Sequence, residues 1–433
     1  MSWRTKWRIY EYIRNSIWIV PAILGALAVV MGIILPDIDE RTGDAIGVSF
    51  GASAAQGILG ALAGGMITFT GFVFSILLLA VQFGSSQFSP RMLRRFLRDP
   101  TTKISLGIFM ATFIYALLVL RKIEPADNAD FIPDLSVSVS LIMLLLSMVM
   151  FLRLISKTTQ GLRVAVVVGD LGRDGAAVMQ RVYPEPVEGP EAGGIEEVDG
   201  GEGAAEPSRV VTYGQEPAVL QSVDTRGLVA IAAEADVVIE LIPPVGDLIA
   251  WDAPLFAIHG EGEDIEDERL RRSIAVGDER TMRQDPAFVF RLLADISSKA
   301  LSPGVNDPTT SVQSLDQIEM LLRLLAGRRL TPGEQRDGAG TVRFRYPAPT
   351  WEDFLSIALD EARFFGETSV QVTRRLRALL EDLHAAAPPD RQPAVEAQIR
   401  MLEASVARSF REPADHEIAA ARDRQGIGSP GGR

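Results

Sequence analysis

The chain has 433 residues, with 43 Lys and Arg against 56 Asp and Glu, three histidines and no cysteine. Without cysteine there are no disulfides, thiolate metal sites or cysteine nucleophiles, and the scattered His259, His384 and His416 do not suggest a histidine metal centre. A net charge of −13 argues against a nucleic-acid partner, whose phosphates require a basic face. The mean hydropathy of +0.16 is high for a chain with 23 % charged residues, and the reading that remains is a membrane protein with an acidic soluble part.

The apolar excess is concentrated before residue 155. Ile17–Leu35, Gly57–Phe83, Ile104–Leu120 and Leu135–Leu152 are free of charge and run for 19, 27, 17 and 18 residues. About 20 residues cross a hydrocarbon core of about 30 Å, so the sequence predicts four transmembrane helices, at about 17–35, 57–83, 104–120 and 135–152. The first run ends in Leu35-Pro36-Asp37 without a small-residue cleavage pattern, so it is expected to stay as a helix.

Charge alternates across these spans. The N-terminus carries Arg4, Lys6, Arg8 and Arg14 against Glu11, the 84–103 segment carries Arg91, Arg94, Arg95, Arg98 and Lys103 against Asp99, and Arg153, Lys157 and Arg163 follow the fourth run. The other two loops are acidic, with Asp37, Asp39, Glu40 and Asp44, then Glu124, Asp127, Asp130 and Asp134. The positive-inside rule therefore places both termini in the cytoplasm of a bacterial inner-membrane protein. Trp3, Trp7 and Tyr10 would form an aromatic stripe at the inner interface.

The second span is rich in small and hydroxylated residues. Gly64, Thr68, Gly71, Ser75 and Gln82 are candidates for close helix packing, or for lining a path between copies in a homo-oligomer. Beyond it, Ser89-Pro90 reads as a helix start, and Arg91, Arg94, Arg95 and Arg98 are expected to contact anionic lipid headgroups. The runs themselves contain no ionisable residue, which disfavours proton-coupled transport.

The soluble half is expected to be α+β, with a β-rich module over 161–260, a helical domain over 261–411 and a disordered tail over 412–433. Residues 184–207 hold eight acids and no base among Gly and Pro, so this insert is expected to be disordered and carries eight of the thirteen excess negative charges. Val210–Ile258 alternates like short strands, and Gly246-Asp247 with Ala253-Pro254-Leu255 resembles the turn spacing of barrel-sandwich modules. No lysine occurs between 158 and 298 to be modified, so a small structural barrel is expected.

Gln284-Asp285-Pro286 and Asn306-Asp307-Pro308 each place Asp at an N-cap and Pro at the first helical position, starting helices that run to about Ala300 and Ala326. Thr350-Trp-Glu-Asp353 starts a helix through Leu383, and another is expected from about Gln392 to Phe410. Asp295, Lys299, Asp316 and Glu319 offer ion pairs or a hard-cation site, against the plainer reading, from their helical spacing, of a solvated face. Ser302, Asn306, Asp307, Thr309 and Thr310 are brought together by the turn between the first two helices. They are the candidates for a ligand or subunit contact, against the plainer role of capping.

Residues 72–93, reading FVFSILLLAVQFGSSQFSPRML, and 300–312, reading ALSPGVNDPTTSV, together resemble the bacterial membrane proteins grouped as domain of unknown function 2254. The resemblance runs over roughly 5–410 and implies four membrane helices followed by a cytoplasmic domain, but no catalytic residue. No phosphate loop, dinucleotide fingerprint, nucleophile elbow or zinc motif is present. The sequence thus predicts a non-enzymatic protein without cofactor. It is read as an oligomeric channel with a cytoplasmic assembly or gating domain, or as a membrane-tethered sensor or scaffold for a cytoplasmic ligand or partner.

Overall fold

The structure, a computed structural model, describes residues 3–42, 49–87, 99–123, 132–161, 163–187, 206–261, 264–330 and 333–427. It divides into two compact units, Tyr10–Val166 and Met1–Ile9 with Val167–Arg433.

In the first unit α1 (Trp3–Asn15), which begins in the other unit, is followed by α2 (Ile19–Thr42), α3 (Ala52–Gln87), α4 (Pro100–Leu120) and α5 (Asp134–Gly161). Four helices here are long and apolar enough to cross a membrane. They are longer than the uncharged runs because their polar ends stay helical. α2 continues through Pro36 to Thr42, and Asp99 accepts a bond from Thr101 N at 3.2 Å to start α4 at Pro100.

α4 is the most buried of the four. Its contact with α2 depends on glycine: a Cβ at Gly107 would lie 2.6 Å from Leu24 Cδ1, and one at Gly32 would lie 2.8 Å from Leu118 Cβ. Such close backbone approach gains dispersion contacts that lipid cannot replace. The α4–α5 seam adds hydroxyls, with Thr112 Oγ1 3.0 Å from Ser147 Oγ, and the Tyr115 phenol donating to Ser136 O at 3.1 Å. Ser136, Ser140 and Ser147 of α5 are all buried. At one end of the unit, buried Asp39 accepts from Ser136 N and buried Asp134 from Phe50 N, both at 2.9 Å. These two carboxylates satisfy backbone donors at the start of α5 and of the chain entering α3.

The second unit is mixed. Its strands are β1 (Arg209–Thr212), β2 (Ala218–Val223), β3 (Val238–Leu241), β4 (Leu248–Ile249), β5 (Pro254–His259), β6 (Ile274–Gly277), β7 (Glu334–Arg336) and β8 (Val342–Arg345). Its helices are α6 (Val164–Val182, from Val167 on), α7 (Thr225–Glu234), α8 (Asp267–Arg271), α9 (Pro286–Ala300), α10 (Pro308–Ala326), α11 (Trp351–Phe365), α12 (Val370–Ala386), α13 (Gln392–Ser409) and α14 (Pro413–Ala420).

One sheet has the order β1-β5-β3-β8-β7, the other β4-β2-β6. All pairings are antiparallel except β3 with β8, where Ile239 sits opposite Phe344. One apolar core, including Leu220, Leu228, Ile239, Phe256, Leu270 and Phe344, is shared by both sheets and α7. The expected barrel is corrected: β1 and β7 end one sheet and β4 and β6 the other, so no barrel closes. Two things divert the strands from closure. Asp224 accepts from Gly227 N at 3.1 Å and turns the chain into helix α7, and β8 arrives from about 100 residues downstream to pair with β3.

The helical layer pairs α9 with α10 and α11, and α12 with α10 and α13. α9 and α10 begin at the Asp-Pro caps and end at Ala300 and Ala326, as the sequence predicts. α11 begins with a full capping box between Thr350 and Asp353. The single helix expected from 350 to 383 is two, because the chain leaves the helix at Gly366, where a Cβ would lie 2.5 Å from Val372 Cγ1. The tail expected to be disordered forms α14 and continues to Ile427, where Arg422 and Arg424 both reach Asp382. Residues 188–205, which make up most of the acidic insert, lie outside the described residues.

Candidate functional site

Three surfaces collect the residues that sequence singles out or that tertiary structure adds. The first is one face of α3. Along this helix Ala55, Leu59, Leu62, Met66, Val73 and Ala80 are buried, a 3.5-residue repeat facing α4 and α5. Gly57, Gly60, Gly64, Gly65 and Gly71 lie elsewhere on the helix, and a Cβ built on any of them meets nothing within 4 Å. Thr68 and Ser75, both exposed, continue the stripe and donate to Gly64 O at 3.1 Å and Gly71 O at 3.0 Å; Gln82, also exposed, ends it. Gly64, Thr68, Gly71, Ser75 and Gln82 therefore share one uncovered face. The first unit makes its close glycine contacts with α2 and α4 instead.

The second is the turn from α9 to α10. Asp307 accepts from Thr310 N at 3.2 Å and Thr310 Oγ1 at 2.6 Å, and Ser302 Oγ donates to Lys299 O at 2.7 Å. Asn306 takes the left-handed conformation with φ 45°, which its short polar side chain tolerates. Asn306 and Thr309 are exposed. The turn thus brings the five residues together, with three of them engaged in bonds that shape the turn.

The third was not read from sequence. Residues 3–9 of α1 belong to the second unit, where Arg4 Nη2 donates to Gln215 Oε1 at 2.9 Å. Trp3 and Trp7 stack at 5.5 Å, and the Arg283 guanidinium lies 4.2 Å from the centroid of the Trp7 ring. Beside Arg4 and Trp7 is a cavity of about 430 Å³, whose lining also includes Tyr213, Gln215 and Asp278. Burial pushes the Tyr213 phenol above its ordinary value, so it stays a neutral donor. Of the two tryptophans, Trp7 lines this pocket and Trp3 stacks against Trp7. The pairing of Trp7 with a residue 276 positions away leaves no local signal in the sequence.

Asp295, Asp316 and Glu319 are also ion-paired, the last two with a partner from a distant position. Arg291 binds Asp295 at 2.9 Å, and the buried Arg375 of α12 binds Asp316 at 2.8 Å and Glu319 at 2.6 Å, so of the readings offered for these three acids the structure has the ion pairs. Arg91, Arg94, Arg95 and Arg98 lie outside the described residues.

The model of the family described as "Predicted membrane protein (DUF2254)" matches residues 14–382. Uncharacterised proteins of Mycobacterium tuberculosis and Mycobacterium bovis are each 29 % identical over 446 residues, covering 98 % of this chain and 83 % of the relative. No solved structure matches.

Proposed function

This chain belongs to the DUF2254 family of predicted membrane proteins, and we propose that it works as an oligomeric, pore-like protein of the bacterial inner membrane. In this reading copies of α3 meet around a central axis through the stripe from Gly57 to Gln82. Both termini and the mixed unit lie in the cytoplasm, where that unit assembles or gates the pore. The observation that carries the reading is that the small-residue face of α3 is its uncovered face. Helices approach closely in lipid where side chains are small, and hydroxyls and amides at such a seam satisfy polar demands that acyl chains cannot. The small residues keep their repeat over about five turns, from Gly57 to Ser75, before Leu78 interrupts it, which suits a long helix–helix contact.

The test is mass and conductance of the purified full-length chain in bilayers. The reading expects a mass that is a multiple of the 47.0 kDa chain, and ion conductance that Gly71→Leu reduces at least about tenfold. A monomeric mass, without conductance across voltage, tension and salt, would refute it. A second reading, a membrane-tethered binding module, is supported by the cavity beside Trp7 and Arg283. It expects a ligand whose binding is lost in Trp7→Ala while the membrane spans still insert.

A further inference from the structure

The chain leaves β1 through Tyr213 and Gly214, whose φ of 64° is one that glycine adopts without strain. It then runs through Gln215, Glu216 and Pro217 into β2, which pairs with β6 so that Val219 sits opposite Gly277. Asp278 therefore follows the end of β6 beside the start of β2. Arg4 and Trp7, one turn apart on α1, reach the same place, where Arg4 Nη2 is fixed by its bond to Gln215 Oε1. Three separate stretches of sequence put a guanidinium, an indole, a phenol, an amide and two carboxylates around the cavity of about 430 Å³. That volume lies within the range of about 300–1,000 Å³ usual for small-molecule sites.

The polar groups of this lining do not satisfy one another. Tyr213 is only 2 % exposed, yet among the described residues its hydroxyl has no hydrogen-bond partner. The hydroxyl feels the charges of Arg4 and Glu216, both in the lining, so it is the polar end of Tyr213 that opens on the cavity. A buried donor without an acceptor is costly and rare in a folded chain. The charges are equally unmatched. Among the described residues Arg4 forms no ion pair, its guanidinium being bound to Gln215 instead, and neither Glu216 nor Asp278 has a cationic partner. The rest of the wall, Pro217, Ala218 and Val276 with the Trp7 ring, carries no charge.

A molecule complementary to this surface has a carboxylate for Arg4 and the Tyr213 hydroxyl, a cation for the two acids, and an apolar part for the uncharged wall. We propose that the cavity binds a free α-amino acid with an apolar side chain, its carboxylate held by Arg4 and Tyr213 and its ammonium by Glu216 and Asp278. A plain anion would meet the two carboxylates, and a plain cation would meet Arg4; like charges brought together in this way select against both. The assignment rests on the reading of the second unit as a binding module and adds what that module binds. It does not depend on the chain forming a pore.

Isothermal titration calorimetry of the full-length chain in detergent tests the assignment. The probes are L-leucine, L-phenylalanine, N-acetyl-L-leucine, which lacks the ammonium, and L-leucinamide, which lacks the carboxylate. The expected result is saturable binding of L-leucine or L-phenylalanine at one site per chain, with both derivatives weaker by at least about tenfold. Arg4→Gln should weaken the amino acid at least about tenfold and leave L-leucinamide unchanged, and Tyr213→Phe, which removes only the hydroxyl, should weaken the amino acid roughly fivefold. Equal binding of L-leucine and N-acetyl-L-leucine would show that only an anion is recognised and would overturn the assignment while the binding-module reading stands. No binding of either amino acid would overturn the assignment as well. The binding-module reading fails separately, if a thermal-shift panel of amino acids, nucleotides and sugars contains no compound whose stabilisation Trp7→Ala removes.

Discussion

Arg391 carries more of the second unit's architecture than its place between two helices suggests. Its side chain is 6 % exposed and donates to Leu325 O at 2.8 Å, Ala326 O at 3.1 Å and Arg328 O at 2.8 Å, closing the C-terminus of α10. The guanidinium also lies 5.4 Å from the Trp351 ring centroid, and Trp351 Nε1 donates to Arg391 O at 3.2 Å. A cation at a helix C-terminus is favoured by the macrodipole, and the flat fork serves several carbonyls at once. Arg391→Met should strand buried carbonyls and cost roughly 3 kcal/mol, lowering the thermal midpoint of the full chain by several degrees. Arg391→Lys should recover only part of this, because one ammonium cannot span the same acceptors. At the 302–310 turn, Asp307→Ala should cost about 1 kcal/mol as a lost cap. Asn306→Gly should be close to neutral and Asn306→Val destabilising, since φ 45° suits Gly and Asn but not a β-branched residue. These caps were legible in the sequence because Asp-Pro and Thr-x-x-Asp satisfy backbone donors within four residues. The roles of Arg391, Arg375 and Arg283 were not, since each depends on a partner from another element.

At the level of elements, two classes of glycine separate cleanly. Gly107→Ala should disturb the α2–α4 contact and lower the yield of folded protein, because its Cβ would lie 2.6 Å from Leu24. Gly60→Ala has open space and should leave the folding of a single chain unchanged. Reporter fluorescence of the expressed chain in membranes compares the two directly. The strip of small residues in α3 was legible from composition, whereas which side it faced required the neighbouring helices. The tail shows the opposite limit. Its composition reads as disordered, yet Arg424 bonds to Asp382 at 2.8 and 3.0 Å, and Arg422 joins them. The Arg424 hydrogen bonds hold the Asp382 carboxyl below the ordinary carboxylate range, against the opposing effect of burial. A carboxyl depressed in the folded state contributes stability that is present above its unfolded value of about 4 and lost as pH falls through the lower folded value. The 413–427 segment should therefore resist proteolysis at neutral pH and be released only in stronger acid. Asp382→Asn should release it at pH 7. The strand module failed as a barrel for a related reason: β8 enters the sheet from residues 342–345, and nothing within Val210–Ile258 signals where that strand comes from.

For the molecule as a whole, the opening totals now divide by region. High hydropathy belongs to the helices of the first unit, and much of the acidity to the 184–207 insert, while the segments flanking the spans at one end are basic. What composition does not contain is the direction in which each helix face points, and the central claim rests on that. The most direct measurement uses the chain's lack of cysteine, which makes single-cysteine variants clean reporters. Gly64→Cys, Gly71→Cys and, as a control on an exposed face of α5, Leu152→Cys would be oxidised in native membranes and resolved without reductant. Disulfides form where Cα atoms come within about 7 Å. The account predicts disulfide-linked dimers for Gly64→Cys and Gly71→Cys and monomer for Leu152→Cys. Monomer at both stripe positions, or cross-linking no greater there than at Leu152→Cys, would contradict it.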